Sequence, residues 1–285
     1  MHNGPLRMPV NARRFIRKMR GGAQAHLLEA DDGNFYIVKF QNNPQHRRIL
    51  VNEVIAGEIL SHLQVSSPDY RFVRISREFL EHNREVHMQT GSRRVEVEPG
   101  WHFGSRHPGN PDTMAIYDFI PDALLGQVAN SDQFRAVLVF DRWVANADGR
   151  QAVFFRAQLN DWLATPCVPP RKLGFVTLMI DHGFAFNGPH WDLPDSAITG
   201  LYPRRMVYEN VRSIDDFDPW LTRVLNFPSA VLDMALRQIP PEWVADDEGP
   251  LELMLEALLR RRARIADLLL DCRQAPGNPF PRWTT

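Results

Sequence analysis

The stretch Phe175-Val-Thr-Leu-Met-Ile-Asp181-His-Gly183 places six apolar or β-branched residues before an aspartate, with a glycine two positions further on. This pattern predicts a buried strand that ends at a carboxylate in a loop. A buried carboxylate without a partner is costly, so one at the end of an apolar strand is normally held by a cation, a metal ion or several donors. We therefore expect Asp181 to belong to a binding site.

A second polar segment lies upstream of that strand. Residues 140–155 read Phe-Asp-Arg-Trp-Val-Ala-Asn-Ala-Asp-Gly-Arg-Gln-Ala-Val-Phe-Phe and gather two aspartates, two amides and two arginines in front of another apolar run. The two apolar runs are predicted to pair as a hairpin, which would bring the two polar loops into one bipartite site. Carboxylate and amide oxygens are ligands that Mg²⁺ accepts, so a metal ion is the favoured partner of Asp181.

The composition is that of an ordinary soluble globular protein. The chain has 285 residues, of which 44% are hydrophobic and 24% charged, and this length allows one large domain or two lobes. A net charge of −1 argues against a nucleic-acid binder that works by bulk electrostatics, so no direct nucleic-acid partner is expected. The basic cluster at 260–264 alternates with Glu256 and Asp267 at helical spacing, which favours a solvated helix face.

The two cysteines, Cys167 and Cys272, are far apart and form neither a disulfide framework nor a zinc pattern, which fits a reducing cytoplasm. The basic N-terminal segment lacks the apolar stretch of a secretory signal, and no apolar run has the roughly 18 residues of a membrane span. We therefore expect a cytoplasmic protein without membrane contact. The ten histidines show no metal-ligand spacing, and His182 is predicted to make structural hydrogen bonds.

Residues 1–120 are predicted to be rich in strands. A hairpin is indicated by two short apolar segments, residues 25–29 and 35–40, on either side of an Asp-Asp-Gly-Asn turn. A helix is predicted from His46 to Leu63, where apolar residues recur at helical spacing. Three more strands are predicted at residues 71–76, 93–98 and 113–119.

Residues 121–285 are predicted to be mainly helical. A helix capped by Ser131 runs to about Val144, and the strands of the polar hairpin occupy roughly residues 151–157 and 173–180. Further helices are predicted near residues 203–210, 215–225, 228–238 and 250–272. The expected fold class is therefore α+β, with a strand-rich N-terminal lobe (1–120) that meets a mainly helical C-terminal lobe (121–285).

Phosphoryl transfer from ATP needs few protein parts, and each has a candidate in this chain. Gly21 and Gly22 lack a Cβ, so their backbone N–H groups can approach phosphate oxygens; a plain turn is the alternative. Lys39 alternates with apolar neighbours on the return strand, where its charge would suit the α- and β-phosphates; a solvent-facing lysine is the alternative. The next helix offers Asn52, Glu53 and Glu58 as candidate partners of that lysine. Asn52 lies near the centre of the apolar side, and helical periodicity does not choose between the two glutamates.

The two polar loops supply the remaining parts. Asp181 can ligate Mg²⁺, and Gly183 lets its loop turn sharply. Asp148 is the candidate base or orienter of the acceptor hydroxyl, and Gln151 or Asn146 completes the metal site. A strand-end aspartate that caps a turn is the alternative for Asp181.

These residues carry a resemblance to a known family. Five short motifs occur in the order of the HipA-like kinases: Gly22-Ala-Gln24-Ala-His26-Leu27, Val38-Lys39, Asn52-Glu53, Asn146-Ala-Asp148-Gly-Arg150 and Asp181-His-Gly183. The agreement covers residues 20–190. The whole chain, with Phe103-Gly-Ser-Arg106 and Tyr117-Asp-Phe-Ile-Pro121, resembles the stand-alone HipA-like kinase domain proteins of bacteria, which share the wider protein-kinase and phosphoinositide-kinase fold.

The resemblance implies a bilobal protein-kinase-like fold with ATP and Mg²⁺ as cofactors. The implied nucleotide contacts are a phosphate loop with Gly21, Gly22 and Gln24, the pair of Lys39 with Glu53, and a hinge with Asp118 and Ile120. Asp148 is implied to serve the acceptor hydroxyl and Asp181 to hold magnesium. The acceptor itself is not identified; a protein Ser or Thr is favoured, because HipA phosphorylates a serine of an aminoacyl-tRNA synthetase.

The second metal ligand is where the chain departs most from the family pattern. HipA-type sequences place a metal-binding Asn five residues after the catalytic Asp, whereas Val153 stands five residues after Asp148. Gln151 or Asn146 could take its place from a shifted position. Alternatively, Asp141 with Asn146 satisfies the five-residue spacing in another register.

Two more departures concern charge. His26 replaces the usual Lys of the phosphate loop, and Arg150 stands where His is expected. Together with the missing Asn, they leave open a pseudokinase that binds nucleotide or a protein partner without turnover. A small-molecule kinase is also open, because the fold accepts many hydroxyl groups and the sequence does not define the acceptor pocket.

Overall fold

A closed five-stranded barrel forms the first part of the fold. The computed structural model describes residues 7–163, 169 and 171–283. Within them nine strands are present: β1 (Val10–Lys18), β2 (His26–Ala30), β3 (Phe35–Lys39), β4 (Tyr70–Ile75), β5 (His87–Thr90), β6 (Arg93–Glu96), β7 (Gly100–Arg106), β8 (Gln151–Gln158) and β9 (Leu173–Ile180). The barrel has the order β1-β2-β3-β7-β4 and closes through a parallel contact between β1 and β4. Two antiparallel pairs, β5 with β6 and β8 with β9, are separate from it.

Most of the helices lie after residue 120. The described residues contain α1 (Arg48–Leu63), α2 (Arg77–His82), α3 (Asp122–Leu125), α4 (Gln133–Val144), α5 (Trp220–Leu225), α6 (Ser229–Gln238), α7 (Pro241–Val244), α8 (Glu248–Arg261) and α9 (Ile265–Asp271). Short 3₁₀ turns connect several of them, as at Arg205–Tyr208 and Arg262–Arg264. The mixture of strands and helices confirms the predicted α+β class.

Five of the nine elements described before residue 120 match the sequence prediction, whereas β1, α2, β5 and β7 were not predicted. The predicted hairpin is present as β2 and β3, α1 covers the predicted helix from Arg48 onward, and β4 and β6 lie in predicted strand segments. The strand predicted at residues 113–119 is wrong, because this segment runs past β8 and turns into α3 at Pro121. Its only bridge within the described residues joins Tyr117 to Phe154.

Strand β1 has no counterpart in the sequence prediction. Phe15 packs against the apolar interior of the barrel, and the pairing with β2 shifts between Ala12 and Arg14 and again between Phe15 and Arg17. Four cationic residues of this strand are exposed: Arg13, Arg14, Arg17 and Lys18. The shifts and the exposed cations interrupt the alternation of apolar and polar residues from which a strand is predicted.

The C-terminal helices are shorter than predicted. The helix predicted at residues 250–272 ends at Arg261 and resumes at Ile265, because Arg264 leaves helical geometry with φ −100° and ψ 3°. The helix predicted near residues 203–210 is a four-residue 3₁₀ turn. It cannot extend further, because Ser213 is in extended geometry and caps the next 3₁₀ turn. The segments 215–225 and 228–238 contain α5 and α6.

The main hydrophobic core combines α1 with helices from the second half of the chain. Val54 and Ile59 of α1 belong to the same buried cluster as Leu138 of α4 and Leu258 of α8. A second cluster fills the barrel, and a third lies on β8 and β9. The largest core therefore crosses residue 120, and the division into lobes at 1–120 and 121–285 stays a prediction.

Polar contacts hold both ends of α1. At its start Arg48 pairs with Asp247, the residue before α8. Near its end Glu58 accepts a hydrogen bond from the Tyr70 hydroxyl at 2.7 Å. Because the apolar face of α1 is buried between these contacts, the helix places Glu53 at a fixed point of the core.

Two sequence expectations concern the environment of the protein. Cys272 is a buried free thiol just after α9, whereas Cys167 lies outside the described residues. In the part of the chain that the structure describes, none of the helices has the length and apolar character needed to cross a membrane. The cytoplasmic location stays a prediction.

Candidate functional site

Three charged side chains from distant segments meet in one cluster. Lys39 ends β3, Glu53 lies in α1 and Asp181 follows β9. The Lys39 ammonium is 2.5 Å from Glu53 Oε1 and 2.7 Å from Asp181 Oδ1. Lys39 and Glu53 are buried, whereas the Asp181 side chain keeps 30% of its surface exposed. The structure thus joins three residues that the sequence predicted for nucleotide and metal binding.

Glu53, and not Glu58, is the glutamate that contacts Lys39. Glu58 is bonded to Tyr70 instead. Glu53 also accepts the backbone N–H of His182 at 3.2 Å, so one carboxylate connects α1, β3 and the loop after β9.

Mutual attraction favours the charged forms of Lys39 and Asp181, whereas burial raises the pKa of the Glu53 carboxyl above its ordinary value. Burial acts to lower the pKa of the Lys39 ammonium, but the Glu53 and Asp181 carboxylates raise it above its ordinary value. Burial acts to raise the pKa of the Asp181 carboxyl, but Lys39 holds it below its usual range. A fixed cation beside a partly exposed carboxylate can bind a polyanion and a divalent cation side by side.

The backbone of the loop after β9 is held from several sides. Asp181 has a φ of +60°, in the left-handed region that few residues with a side chain adopt. A Cβ at Gly183 would collide with the Ile49 side chain of α1, so this close approach requires glycine. The Asn52 amide donates to three carbonyl oxygens of residues 183–188 at 2.7 to 3.0 Å. The loop is therefore clamped onto α1.

Asn52 was one of the candidate partners of Lys39, but its side chain bonds the loop after β9 and Trp191 instead. Its side-chain oxygen accepts the Trp191 indole N–H at 2.7 Å, so both ends of the amide are used. The available signal was a polar residue at the centre of an otherwise apolar helix face, because a buried amide requires partners.

The hairpin of β8 and β9 brings the second polar loop to the same place. In its register Gln151 is opposite Ile180, the residue before Asp181. The Gln151 amide nitrogen lies 3.2 Å from Asp148 Oδ2 and 3.4 Å from Asp181 Oδ2. One side chain thus contacts both aspartates, and the two polar loops form one site.

Comparison with known proteins identifies the family. A family model described as HipA-like kinase matches residues 13–267. The chain belongs to the HipA-like kinase family. Among solved structures, that of the Golgi casein kinase matches with a TM-score of 0.50 and 13% sequence identity, covering 94% of this chain and 73% of that chain. The Golgi casein kinase with Mn/ADP bound has a TM-score of 0.49 and 12% identity over 96% of this chain and 75% of that chain.

The first of these structures shows that this HipA-like kinase has a protein-kinase-like fold. That fold was predicted from the motifs, and the family match confirms the resemblance on which the prediction depended. No curated protein matches the chain.

Asn146 of this HipA-like kinase is buried under the Asp148 loop. Its amide nitrogen donates to Asp141 Oδ1 at 2.9 Å, and its oxygen accepts the Asp148 backbone N–H at 3.2 Å. Asp141 lies in α4, and Arg150 bonds both of its carboxylate oxygens. Of the amides considered for the metal site, Gln151 is the exposed one and contacts the aspartates directly.

Arg150, which replaces the family's His, belongs to a buried network. Its guanidinium donates to the Ile180 carbonyl at 2.8 Å and to His182 Nδ1 at 3.2 Å, and His182 Nε2–H donates to the Met179 carbonyl at 3.1 Å. These roles follow because arginine can only donate. Burial and the nearby Arg150 charge hold the pKa of His182 well below its usual range. His182 makes structural hydrogen bonds, as the sequence predicted.

The phosphate loop expected from the family joins β1 to β2. Gly21 has a φ of +119°, which suits glycine, and both Gly21 and Gly22 are exposed. The Gln24 side chain is engaged elsewhere, because its two polar atoms bond the backbone of Gln89 in β5 at 2.6 and 2.7 Å. The loop therefore offers a ligand the glycine backbone and not the Gln24 side chain.

His26 occupies the position where the family pattern has a lysine. Its ring is buried in the barrel between Phe15 and Phe40, with centroid distances of 5.6 and 4.9 Å. Nδ1 lies 2.9 Å from the Gln24 carbonyl oxygen, and burial lowers the pKa of the ring. A neutral, inward-facing group thus stands where a phosphate-binding cation is usual.

The segment predicted as the hinge passes beside β8. Tyr117 exchanges two backbone hydrogen bonds with Phe154, each at 2.9 Å. Asp118 is exposed, whereas Ile120 is buried and its carbonyl oxygen accepts a bond from Arg204 at 2.6 Å. Of the two hinge candidates, Asp118 is open to solvent and Ile120 is engaged within the protein.

The donors at the site fit a magnesium ion that is shared with phosphates. Among the described residues, no group of three or more His, Cys, Asp or Glu side chains is arranged to hold a metal ion. Asp181, Asp148 and Gln151 offer two carboxylates and one amide. Mg²⁺ usually takes one or two protein carboxylates and completes its octahedron with substrate phosphates and water.

Proposed function

We propose that this HipA-like kinase transfers the γ-phosphoryl group of ATP to a hydroxyl acceptor, with a protein Ser or Thr as the favoured acceptor. The observation that carries the proposal is the cluster of Lys39, Glu53 and Asp181, to which Asp148 is connected through Gln151. A fixed cation, a metal-binding carboxylate and a second, exposed carboxylate are the parts that phosphoryl transfer requires.

In this proposal the barrel and the helical part of the chain are two lobes, and ATP lies between them. The Lys39 ammonium, held by Glu53, neutralises charge on the α- and β-phosphates. The exposed backbone of Gly21 and Gly22 covers the phosphates, and the hinge at Asp118 lies against the adenine.

Asp181 and Gln151 are the proposed magnesium ligands. Asp181 Oδ1 accepts a bond from Lys39, and its Oδ2 has only a long contact of 3.4 Å with the Gln151 amide nitrogen. A metal ion would take Oδ2 in place of that N–H, and Gln151 would turn its amide oxygen toward the ion. Asn146 is the less favoured ligand, because its oxygen already accepts a backbone N–H. Bound Mg²⁺ supplies charge neutralisation to the phosphate oxygens during transfer.

Asp148 is the proposed partner of the acceptor hydroxyl. Its exposed carboxylate is oriented by the Gly149 N–H at 2.8 Å and by Gln151 at 3.2 Å. In the transfer the acceptor oxygen bonds to the γ-phosphorus, the bond from that phosphorus to the β–γ bridging oxygen breaks, and ADP leaves. Asp148 orients the hydroxyl and accepts its proton.

The test follows radiolabelled γ-phosphate from ATP into protein. We expect label in the chain itself or in an added protein mixture when wild-type protein and Mg²⁺ are present. Asp148→Asn is expected to bind ATP without transferring label. Asp181→Asn is expected to lose the part of its ATP affinity that depends on Mg²⁺; an unchanged Mg²⁺ dependence would contradict the site assignment.

A pseudokinase is the second candidate, and the observation that favours it is the His26 ring, which is packed between Phe15 and Phe40 at the position where the family has a lysine. Val153, in place of the usual metal-binding Asn, points the same way. Under this alternative ATP binds, but label reaches no protein, including the chain itself. ATP titrations with and without Mg²⁺, combined with the transfer assay, distinguish the two candidates.

A further inference from the structure

The Arg150 guanidinium is fully buried and bonded on every nitrogen. It donates to both carboxylate oxygens of Asp141, to the Ile180 carbonyl at 2.8 Å and to His182 Nδ1 at 3.2 Å. The side chains of Arg150 and Asp141 are both shielded from solvent. A buried ion pair is tolerated when its hydrogen bonds are complete, so these bonds hold the guanidinium in one geometry.

The bonds of Arg150 lead in two directions. One set leads to α4, which precedes the loop that carries Asp148. The other set leads to both sides of Asp181, because Ile180 and His182 flank it in the chain. We infer that Arg150 is a positioning residue that fixes the Asp148 loop relative to Asp181. This inference rests on the proposed function, since the two aspartates are its metal ligand and its hydroxyl partner.

Two backbone bonds also join the loops, from the Ala147 N–H to the Phe184 carbonyl at 2.9 Å and from the Asn187 N–H to the Ala145 carbonyl at 3.1 Å, but they reach the Asp181 loop beyond Gly183 and not beside Asp181. Lys39 holds one carboxylate oxygen of Asp181, and none of its hydrogen bonds among residues 7–163 and 171–283 reaches the Asp148 loop. Gln151 connects the two aspartates, but its contacts of 3.2 and 3.4 Å are long and exposed to water. Arg150 links α4 to the residues on both sides of Asp181 through buried side-chain bonds.

Arg261 provides a matched control. It is also a buried arginine, and it bonds Asp195 at 2.6 Å and the Leu193 carbonyl at 2.7 Å, away from the two aspartates. Lysine keeps the charge at either position but cannot reproduce the several directed bonds of a guanidinium. A general loss of stability should therefore appear in both lysine variants, whereas a loss of loop position should appear only in Arg150→Lys.

The experiment compares R150K with R261K in steady-state phosphoryl transfer and thermal unfolding. We expect kcat of R150K to fall about 10- to 100-fold, with KM for Mg-ATP changed by less than about threefold, because small misplacements of reacting groups act on the transfer step. We expect R261K to keep kcat within about twofold at a similar loss of Tm. If R150K keeps kcat within about twofold, or if R261K loses as much as R150K, the inference is overturned.

A second variant covers the case in which R150K does not fold. Asp141→Asn weakens the bonds of both Arg150 and Asn146 to α4 and leaves the bonds of Arg150 to Ile180 and His182 in place. We expect its kcat to fall at least about threefold further than that of R261K. A kcat equal to that of R261K overturns the inference.

A third measurement separates this inference from the proposed function. If wild-type protein binds ATP but transfers no phosphate, the proposed function fails, and the positioning role is tested by the gain in ATP affinity that Mg²⁺ causes. Calorimetry with and without Mg²⁺ should show this gain reduced about twofold in R150K and retained in R261K. Equal gains in the two variants overturn the positioning role.

Discussion

The Asp181 loop (residues 180–188) and the glycine loop (residues 19–25) are held to different degrees. Buried side chains, chiefly Asn52 and Arg150, bond the carbonyl oxygens of the Asp181 loop. In the glycine loop, short-range backbone bonds such as that from Met19 N–H to the Ala25 carbonyl at 2.8 Å are joined by side-chain bonds at Ala23 and Gln24, while Gly21 and Gly22 stay exposed. The first loop is thus shaped before a ligand binds, and the second is free to adjust around one. This contrast suits a fixed metal ligand beneath an adaptable phosphate cover.

The largest expected effect comes from removing the clamp of the Asp181 loop. Asn52→Ala leaves three buried carbonyl groups and the Trp191 indole N–H without their partner. We expect the free energy of unfolding to fall by about 3 to 5 kcal/mol, because an unsatisfied buried group costs about 1 to 3 kcal/mol and relaxation recovers part of the sum. Urea denaturation measures the difference.

Gln24→Ala is the matched change in the glycine loop. It removes two bonds to the exposed backbone of Gln89, which water can replace. We expect a loss of about 0.5 to 1 kcal/mol in the same denaturation experiment. Equal losses for Asn52→Ala and Gln24→Ala would remove the contrast between the loops.

Glycine replacements test the contrast at a smaller scale. A Cβ at Gly183 meets Ile49, whereas a Cβ at Gly149 meets no atom within 4 Å and one at Gly22 meets only the end of the Gln45 side chain. We expect Gly183→Ala to lower the free energy of unfolding by about 1 to 3 kcal/mol, through overpacking against α1. Gly149→Ala and Gly22→Ala should stay within about 0.5 kcal/mol of wild type. Similar losses of unfolding free energy for all three variants would show that the Asp181 loop can accommodate a methyl group at Gly183.

Acid provides a test of the barrel beneath the glycine loop. His102 of β7 is buried against Phe40, which in turn packs against His26, with ring centroids 5.5 and 4.9 Å apart. Burial lowers the pKa of His102 from 6.5 to about 3. The unfolded chain therefore takes up a proton as the pH falls below 6.5, while the folded protein does so only near pH 3. The stability that the neutral ring confers is therefore complete above pH 6.5 and is lost progressively as the pH falls toward about 3.

His102→Gln should make this pH dependence flatter. We expect the wild-type free energy of unfolding to fall by about 1 kcal/mol more than that of the variant when the pH is lowered from about 6 to 5, since one proton contributes about 1.4 kcal/mol per pH unit. Urea denaturation at several pH values measures the slopes. If the free energy of unfolding falls equally for wild type and variant, His102 takes up its proton in the folded barrel as readily as in the unfolded chain.

The elements that carry the site were predictable because each combines apolar periodicity with a polar end. The pairing of β8 with β9 and the helix α1 follow from such patterns, and so does the meeting of Asp148 with Asp181. Strand β1 was not predictable in the same way, because its cations and pairing shifts hide the alternation. Its place is fixed by pairing with β2.

Side-chain partners within the site were less predictable than the elements. Gln24 belongs to the expected phosphate loop, yet its side chain turns to β5. Arg150 looked like a simple replacement of His, yet it reaches back to Asp141 in α4. Both choices depend on contacts between segments far apart in the chain, which spacing along a single sequence does not specify.

The smallest expected effect concerns nucleotide affinity in the glycine loop. Gly22 is exposed and has no strained φ, so Gly22→Ala should leave stability unchanged while its methyl group keeps the backbone N–H further from a phosphate. We expect KM for Mg-ATP to rise about threefold with kcat nearly constant, which is the pattern of lost uniform binding. Gly249→Ala in α8, where a Cβ also meets nothing, is the control. A lower kcat at unchanged KM would instead show that the glycine loop acts on the transfer step. The loop would then resemble the Asp181 loop in function, although it is held less firmly.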